Sequence, residues 1–130
     1  MQKNILFFLL SLLVLGACSG LKDRANALDE TLRGYEKALR WTQYETLVIF
    51  HHSNTKASIN VDYLRKLRVS SYTVQSSNMA DDHNSYLQSI EIKYYFLDEM
   101  KEKTIIDDQT WGFNKDTDQW LRTNALTVFP

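Results

Sequence analysis

The sequence is short of cysteine, glycine and proline: its 130 residues include one Cys, four Gly and one Pro. A single Cys cannot form an intramolecular disulfide, so stability must come from a packed core rather than from cross-links. The scarcity of Gly and Pro argues against long disordered stretches. The chain also lacks a basic excess, with a formal net charge of −1. This balance argues against nucleic acid as a partner, because nucleic-acid-binding domains usually carry a basic surface.

One apolar run is present, at the N terminus. Lys3 precedes the apolar residues 5–14 (ILFFLLSLLV). The run is shorter than the ~20 residues that cross a bilayer and is typical of an export signal. The Leu-Gly-Ala-Cys sequence at 15–18 resembles the lipobox of bacterial lipoproteins. In that family the Cys is alkylated by a diacylglycerol, the chain is cut before it, and the new amine is usually acylated, for example with palmitate.

This resemblance predicts a signal peptide at residues 1–17, a lipidated Cys18 with a short tether at 18–20, and one domain at 21–130. Several acyl chains would hold the protein on a membrane permanently. In such lipoproteins an Asp after the Cys favours the inner membrane, so Ser19 predicts the outer membrane, facing the periplasm. The alternative is an ordinary secretory signal with a Cys there by chance.

The first part of the domain is predicted to be helical. Apolar side chains recur every three or four residues over 21–40, at Leu21, Ala25, Leu28, Leu32, Tyr35 and Leu39. Thr42 and Glu45 have the spacing of a capping box, which predicts a second helix at about 43–52 with Thr42 as its N-cap. A short helical turn is expected within 58–65.

From residue 67 onward the sequence alternates with a period of two. The alternation predicts strands at 67–76, 86–97, 103–113 and 119–123, with a loop at 77–84 and a tight turn at 114–117. A hairpin centred between Lys115 and Asp116 would place Trp111 opposite Trp120. The predicted core face comprises Ile90, Ile92, Tyr94, Phe96, Ile105, Trp111, Phe113 and Trp120. The predicted fold class is therefore α+β, with N-terminal helices on one face of a curved four-stranded antiparallel meander.

The strand region resembles a known group of proteins. The matching residues are Asp107-x-Gln109-x-Trp111, the tight turn, Trp120 and the Phe-Pro at 129–130. With the long helix before them, they resemble small bacterial lipoproteins with a cystatin-like fold, within the nuclear-transport-factor-like superfamily. The resemblance covers most of 21–130 and implies a sheet that wraps the helix around a conical cavity. Members include isomerases, dehydratases, transport adaptors and domains without known activity, so the fold does not decide the function.

Asp107 and Gln109 are the candidate functional pair, because alternation places them on the core face with Trp111. Together with Tyr94 they would form the polar wall of a ligand cavity, where Asp107 could also be a general base. The alternative is a structural carboxylate, since a buried charge needs a partner. The partners considered for that role are Arg40, Arg65, Arg68 and Tyr94.

Other candidate sites are weaker. His51 and His52 are adjacent on a predicted helix, so their side chains point about 100° apart and make a poor metal pair. Asp81-Asp82-His83 in the polar loop lacks the ligand spacing of a calcium loop. The basic residues Arg65, Lys66 and Arg68 are expected to be solvated. The sequence therefore predicts neither a metal nor a cofactor.

Two functional hypotheses follow. The first is a non-enzymatic envelope lipoprotein that binds a protein or a small ligand near the membrane. The second is an isomerase- or hydrolase-like enzyme that uses Asp107 in a cavity. The first is preferred, because the sequence contains no recognisable set of converging acid, base and oxyanion donor. Self-association through an exposed strand edge is a third option.

Overall fold

The computed structural model describes the backbone of residues 2–130 and the side chains of residues 20–130. Four helices precede four strands along the chain. The helices are α1 (Gln2–Arg40), α2 (Tyr44–Ile49), α3 (Ser53–Lys56) and α4 (Val61–Leu64). The strands are β1 (Leu67–Met79), β2 (Ser85–Phe96), β3 (Lys103–Asn114) and β4 (Gln119–Arg122). Cys18 and the predicted signal peptide lie outside the residues whose side chains are described.

Within the described residues, no helix combines the length and the apolar character needed to cross a membrane.

The four strands form one antiparallel sheet in the order β1-β2-β3-β4, and α1 packs on one face of it. The predicted α+β class, with helices before a four-stranded meander, is confirmed. The strand order follows the chain order because each connection is short, which makes neighbours in sequence neighbours in the sheet.

The core lies between α1 and the sheet. Alternate residues of β2, from Ile90 to Phe96, are buried as predicted, and Trp111 and Trp120 continue this face on β3 and β4. The buried side chains of α1 that face them are Leu28, Tyr35, Ala38 and Leu39. Two members of the predicted apolar stripe do not reach the core, since Ala25 is exposed and Leu21 is 45% exposed.

The outer end of α1 explains those two exposures. Arg24 donates from Nη1 to Asn84 Oδ1 at 2.8 Å, in the loop that joins β1 to β2 at the end of the sheet. Its carbonyl oxygen also accepts a hydrogen bond from Trp120 Nε1 at 3.0 Å. Arg24 therefore lies at the end of the sheet, and the apolar positions beside and before it, Ala25 and Leu21, have no sheet to cover them.

The predicted register of the last hairpin is wrong by two residues. Trp120 pairs with Phe113, and Trp111 pairs with Arg122. The loop between β3 and β4 has four residues, 115–118, so its centre lies one position later than predicted. Asp118 adopts a positive φ of 52° within this loop. A shift of two keeps every side chain on its predicted face, so the core assignment survives although the cross-strand partners change.

The predicted capping box at Thr42 is also wrong. Thr42 has a φ of 59°, and the residue that precedes α2 is Gln43, whose side chain makes no capping hydrogen bond. The backbone N–H of Gln43 donates to the carbonyl of Ala38 at 2.9 Å, as in a helix C-terminal motif. Thr42 therefore terminates α1 rather than starting α2.

Two element boundaries differ from the prediction for a visible reason. Helix α2 stops at Ile49 because the chain turns to form a parallel bridge between His51 and Arg122. Strand β1 continues to Met79, through residues expected to be a loop, because 76–79 pair with 86–89 of β2. The expected helical turn in 58–65 is α4, and α3 was not predicted.

Candidate functional site

A cluster of hydrogen-bonded polar side chains lies between α1 and the sheet, and we call it the buried polar cluster. Its members are Tyr35, His51, Thr55, Tyr72, Gln88, Asp107, Gln109, Trp111 and Arg122. They come from α1, the segment after α2, α3 and all four strands. One polar assembly therefore joins two of the helices to every strand of the sheet.

An ion pair forms the centre of the buried polar cluster. Arg122 Nη2 donates to Asp107 Oδ1 at 2.7 Å, and Arg122 Nη1 donates to Asp107 Oδ2 at 2.9 Å. Both side chains are 0% exposed. The planar guanidinium matches the carboxylate with two parallel hydrogen bonds, the strongest geometry for such a pair. Because each charge is desolvated, each requires the other.

The remaining donors of Arg122 are also used. Its Nε donates to Asn124 Oδ1 at 3.0 Å, and Nη2 donates to the carbonyl of Ala125 at 3.0 Å. Burial lowers the pKa of the Arg122 guanidinium, but Tyr35 and the Asp107 carboxylate raise it by more, so the net shift is upward. The guanidinium is a permanent cation held in one position by the chain that follows β4.

The positive charge of Arg122 sets which atom donates in each hydrogen bond from Arg122 through Tyr35 and His51 to Thr55. Tyr35 accepts from Arg122 Nη1 at 2.9 Å, which leaves its own hydroxyl hydrogen for His51 Nε2 at 3.0 Å. His51 is then neutral, with its proton on Nδ1 and directed at Thr55 Oγ1, 3.3 Å away. Thr55 ends this chain of hydrogen bonds by donating its hydroxyl hydrogen to the carbonyl of His52 at 3.0 Å.

The environment of His51 keeps it neutral. The pKa of His51 is lowered to about 4, and burial is the largest cause. The positive charge of Arg122 also lowers this pKa, and its effect is larger than the opposite effect of Asp107. Burial also raises the pKa of the Tyr35 hydroxyl, which therefore stays protonated. Tyr35 and His51 are thus held in the protonation states that this chain of hydrogen bonds requires.

Gln109 connects the ion pair to the other strands. Its Nε2 donates to Asp107 Oδ2 at 2.8 Å and to the Tyr72 hydroxyl at 3.0 Å. Its Oε1 accepts from Gln88 Nε2 at 2.7 Å and from Trp111 Nε1 at 3.1 Å. Both hydrogens and both lone pairs of the amide are used, so Gln109 has one orientation.

The structure brings three of the four predicted cavity residues together. Asp107, Gln109 and Trp111 alternate along β3 and belong to the buried polar cluster. Tyr94 does not join them, because its hydroxyl donates to the carbonyl of Pro130 at 2.6 Å. The partners considered for Asp107 were wrong, since its counter-charge is Arg122.

Sequence reasoning missed Arg122, Tyr35 and His51 as partners. A signal for Arg122 was present: it is two residues after Trp120, so alternation places it on the core face. A buried cation on that face requires a carboxylate, and Asp107 was already assigned there. No comparable signal links Tyr35 or His51 to the sheet, because their contacts depend on the crossing of α1 over β4.

A solvent-open hollow of about 330 Å³ lies beside the buried polar cluster. It is lined by Ser76, Ser77, Asn78, Leu87, Gln88, Ser89, Asp108, Gln109 and Thr110. Asp107, Trp111 and Tyr94 are not part of this lining. Among residues 20–130, no group of three or more His, Cys, Asp or Glu side chains is placed to hold a metal ion. Asp82 of the polar loop instead accepts from the N–H of Asn84 at 2.9 Å.

Comparison with known proteins gives information on the fold alone. No protein-family model matches the chain. No curated protein sequence matches it. The solution structure of a SEC-C motif containing protein from Rhodopseudomonas palustris is similar with a TM-score of 0.61 at 11% identity, covering 87% of this chain and 89% of that one. The crystal structure of a candidate polyketide cyclase from Xanthomonas campestris has a TM-score of 0.49 at 8% identity, covering 80% and 92%. Both neighbours are small α+β proteins.

Proposed function

We propose that this chain is a lipid-anchored lipoprotein of the bacterial envelope and that its folded domain is a non-enzymatic binding module. The observation that carries the anchor is the sequence itself: a basic residue, an apolar run, and Leu-Gly-Ala before Cys18. Lipidation accounts for both the position and the solitude of this cysteine. With Ser19 after it, the proposed location is the outer membrane, facing the periplasm.

The state of Asp107 supports a binding module over an enzyme. A general base must come within hydrogen-bond reach of its substrate. Asp107 is 0% exposed, and Arg122 engages both of its carboxylate oxygens. A fully buried carboxylate whose two oxygens both accept hydrogen bonds from Arg122 is not presented to a ligand at the surface. The alternative of an isomerase- or hydrolase-like enzyme that uses Asp107 loses its only proposed catalytic group.

We also propose the finer fold assignment, a cystatin-like domain. The order of elements supports it, with one long helix packed on one face of a four-stranded antiparallel sheet. In the group that the sequence resembles, a cavity lies between helix and sheet. Here Tyr35 of α1 contacts Trp111 of the sheet edge to face, with ring centroids 5.1 Å apart. The proposed partner, a protein or a small ligand, would therefore be bound at the outer surface.

Metabolic labelling tests the anchor. Cells expressing the chain are grown with radiolabelled palmitate, and the purified protein is compared with the Cys18→Ser variant. We expect label in the wild type and none in Cys18→Ser. Ser19→Ala is the matched control and should be labelled like the wild type, while Ser19→Asp should be labelled but recovered from the inner membrane. An unlabelled wild-type protein that retains residues 1–17 by mass spectrometry would refute the proposal.

A further inference from the structure

Strand β1 is an open edge of the sheet. It is 13 residues long and pairs with β2 on one side only. Within residues 20–130, no backbone hydrogen bond from another segment reaches its outer side between Ser70 and Met79. The other edge is short and partly covered, since β4 has four residues and Arg122 bonds to Phe50 and His52. The β4 edge is thus short and partly covered, whereas the β1 edge is open between Ser70 and Met79.

The sequence of β1 lacks the charged and proline residues that commonly protect an edge strand, although the strand has two register shifts. Soluble proteins place lysines or prolines on long edges to prevent pairing with another chain. From Val69 to Ala80 there is no charged residue and no proline. Residues on both faces of its second half are exposed, including Val74, which is 54% exposed. The edge therefore has the composition of a strand that pairs.

The charges at the two ends of this neutral stretch have opposite signs. Arg68 precedes it, and Asp81 and Asp82 follow it. None of the ion pairs among residues 20–130 involves these three side chains. In an antiparallel pair of two identical strands, the start of one strand lies beside the end of the other. Arg68 of each copy would then face the acidic pair of its mate.

We propose that β1 pairs antiparallel with β1 of a second copy, forming one eight-stranded sheet about a two-fold axis between Val74 and Gln75. Register shifts divide β1 into regular segments at 71–74 and 76–79, and this axis places 71–73 opposite 76–78. In this register Tyr72 lies opposite Ser77, and both belong to the core face of the sheet. Arg68, beyond the register shift between Val69 and Ser71, then lies near Asp81 and Asp82 of the mate. The contact is isologous, so it closes at two copies.

This arrangement does not depend on the proposed lipid anchor but agrees with it. A two-fold axis perpendicular to a continuous sheet leaves the α1 helices of both copies on the same side. Both N termini can then reach the same membrane. The pairing of β1 involves the folded domain alone and is independent of the modification of Cys18.

Two complementary charge reversals test the pairing. Arg68→Glu places a carboxylate opposite the aspartates of the mate, and Asp81→Lys places an ammonium group opposite Arg68 of the mate. Each variant alone has two like-charge contacts per dimer, so we expect its dimer Kd to rise at least about tenfold. In an equal mixture, the heterodimer has opposite charges at both contacts. Sedimentation equilibrium of the full chains in density-matched detergent should then show dimers in the mixture and monomers in each variant.

A second pair of variants covers the case in which Arg68→Glu does not fold. Val74→Lys brings two ammonium groups together near the two-fold axis and should abolish the dimer. Ile106→Lys is the matched control, since Ile106 is 50% exposed on the central strand β3, away from the edge, and this variant should dimerise. A wild-type chain that is monomeric at millimolar concentration would overturn the proposal. So would a mixture that associates no more than its components, or a dimer that survives Val74→Lys.

Discussion

Acid should destabilise the domain through His51. The folded state holds this imidazole neutral, with a pKa of about 4, whereas the unfolded chain restores it to about 6.5. Protonation therefore favours the unfolded state once the pH falls below about 6.5. The stabilisation is fully present above that pH and is lost as the pH falls to about 4.

The magnitude follows from the two pKa values. Binding one more proton in the unfolded state between pH 7.5 and pH 4 lowers the free energy of unfolding by about 3 kcal/mol. This is a large part of the 5–15 kcal/mol that stabilises a typical domain. The contribution is isolated by comparison with His51→Gln, which cannot titrate. We expect the wild type to lose about 3 kcal/mol more than the variant over this range.

Urea unfolding at pH 7.5, 6, 5 and 4, followed by tryptophan fluorescence, measures both curves. His83→Asn is the control, because His83 is exposed and has a positive φ that Asn tolerates. Its stability should fall with pH in parallel with the wild type. If the wild-type and His51→Gln curves are also parallel, the assignment of a neutral buried imidazole is wrong. A folded-state His51 resonance that titrates near pH 6.5 would refute it independently.

Two further predictions concern stability at neutral pH. Asp107→Asn leaves the Arg122 guanidinium buried without a counter-charge and should lower the free energy of unfolding by about 3–5 kcal/mol. The double variant Asp107→Leu, Arg122→Met should lose less stability than the sum of the losses in Asp107→Leu and Arg122→Met measured singly. A double-mutant cycle by urea unfolding measures this coupling, and additive costs would contradict the ion pair. Thr42→Gly should raise the free energy of unfolding by about 0.5–1 kcal/mol, because glycine adopts the positive φ of this position without strain. A loss of stability would instead favour Thr42 as an N-cap, and thermal unfolding distinguishes the two.

The sequence predicted the elements of this fold well where one pattern governs a segment. Residues 90–96 alternate so regularly that the buried face of β2 could be assigned without a structure. The position of Asp107 on the same face followed from the same alternation. These assignments hold because a one-residue slip would expose the whole apolar face to water.

The failures occur where two patterns compete or where distant segments meet. Thr42 fits both the start of α2 and the end of α1. The hydrogen bond from the N–H of Gln43 to the carbonyl of Ala38 places it at the end of α1. Lys115 and Asp116 fit a short turn, but the loop is longer and moves the register by two. The partner of Arg122 on α1, Tyr35, is 87 residues away, and no local pattern specifies a contact at that separation.

The position of Arg122 also determines when the fold can be completed. Helix α1 is made first, yet Tyr35 obtains its buried partner only when the chain has grown 87 residues further, and Trp120 reaches the carbonyl of Arg24 across 96 residues. Contacts this distant in sequence slow folding. A nascent or truncated chain that ends before β4 has Asp107 without its counter-charge. We expect such a chain to be less stable than the full chain and to be cleaved faster by proteases, because a buried charge without its partner destabilises the folded state.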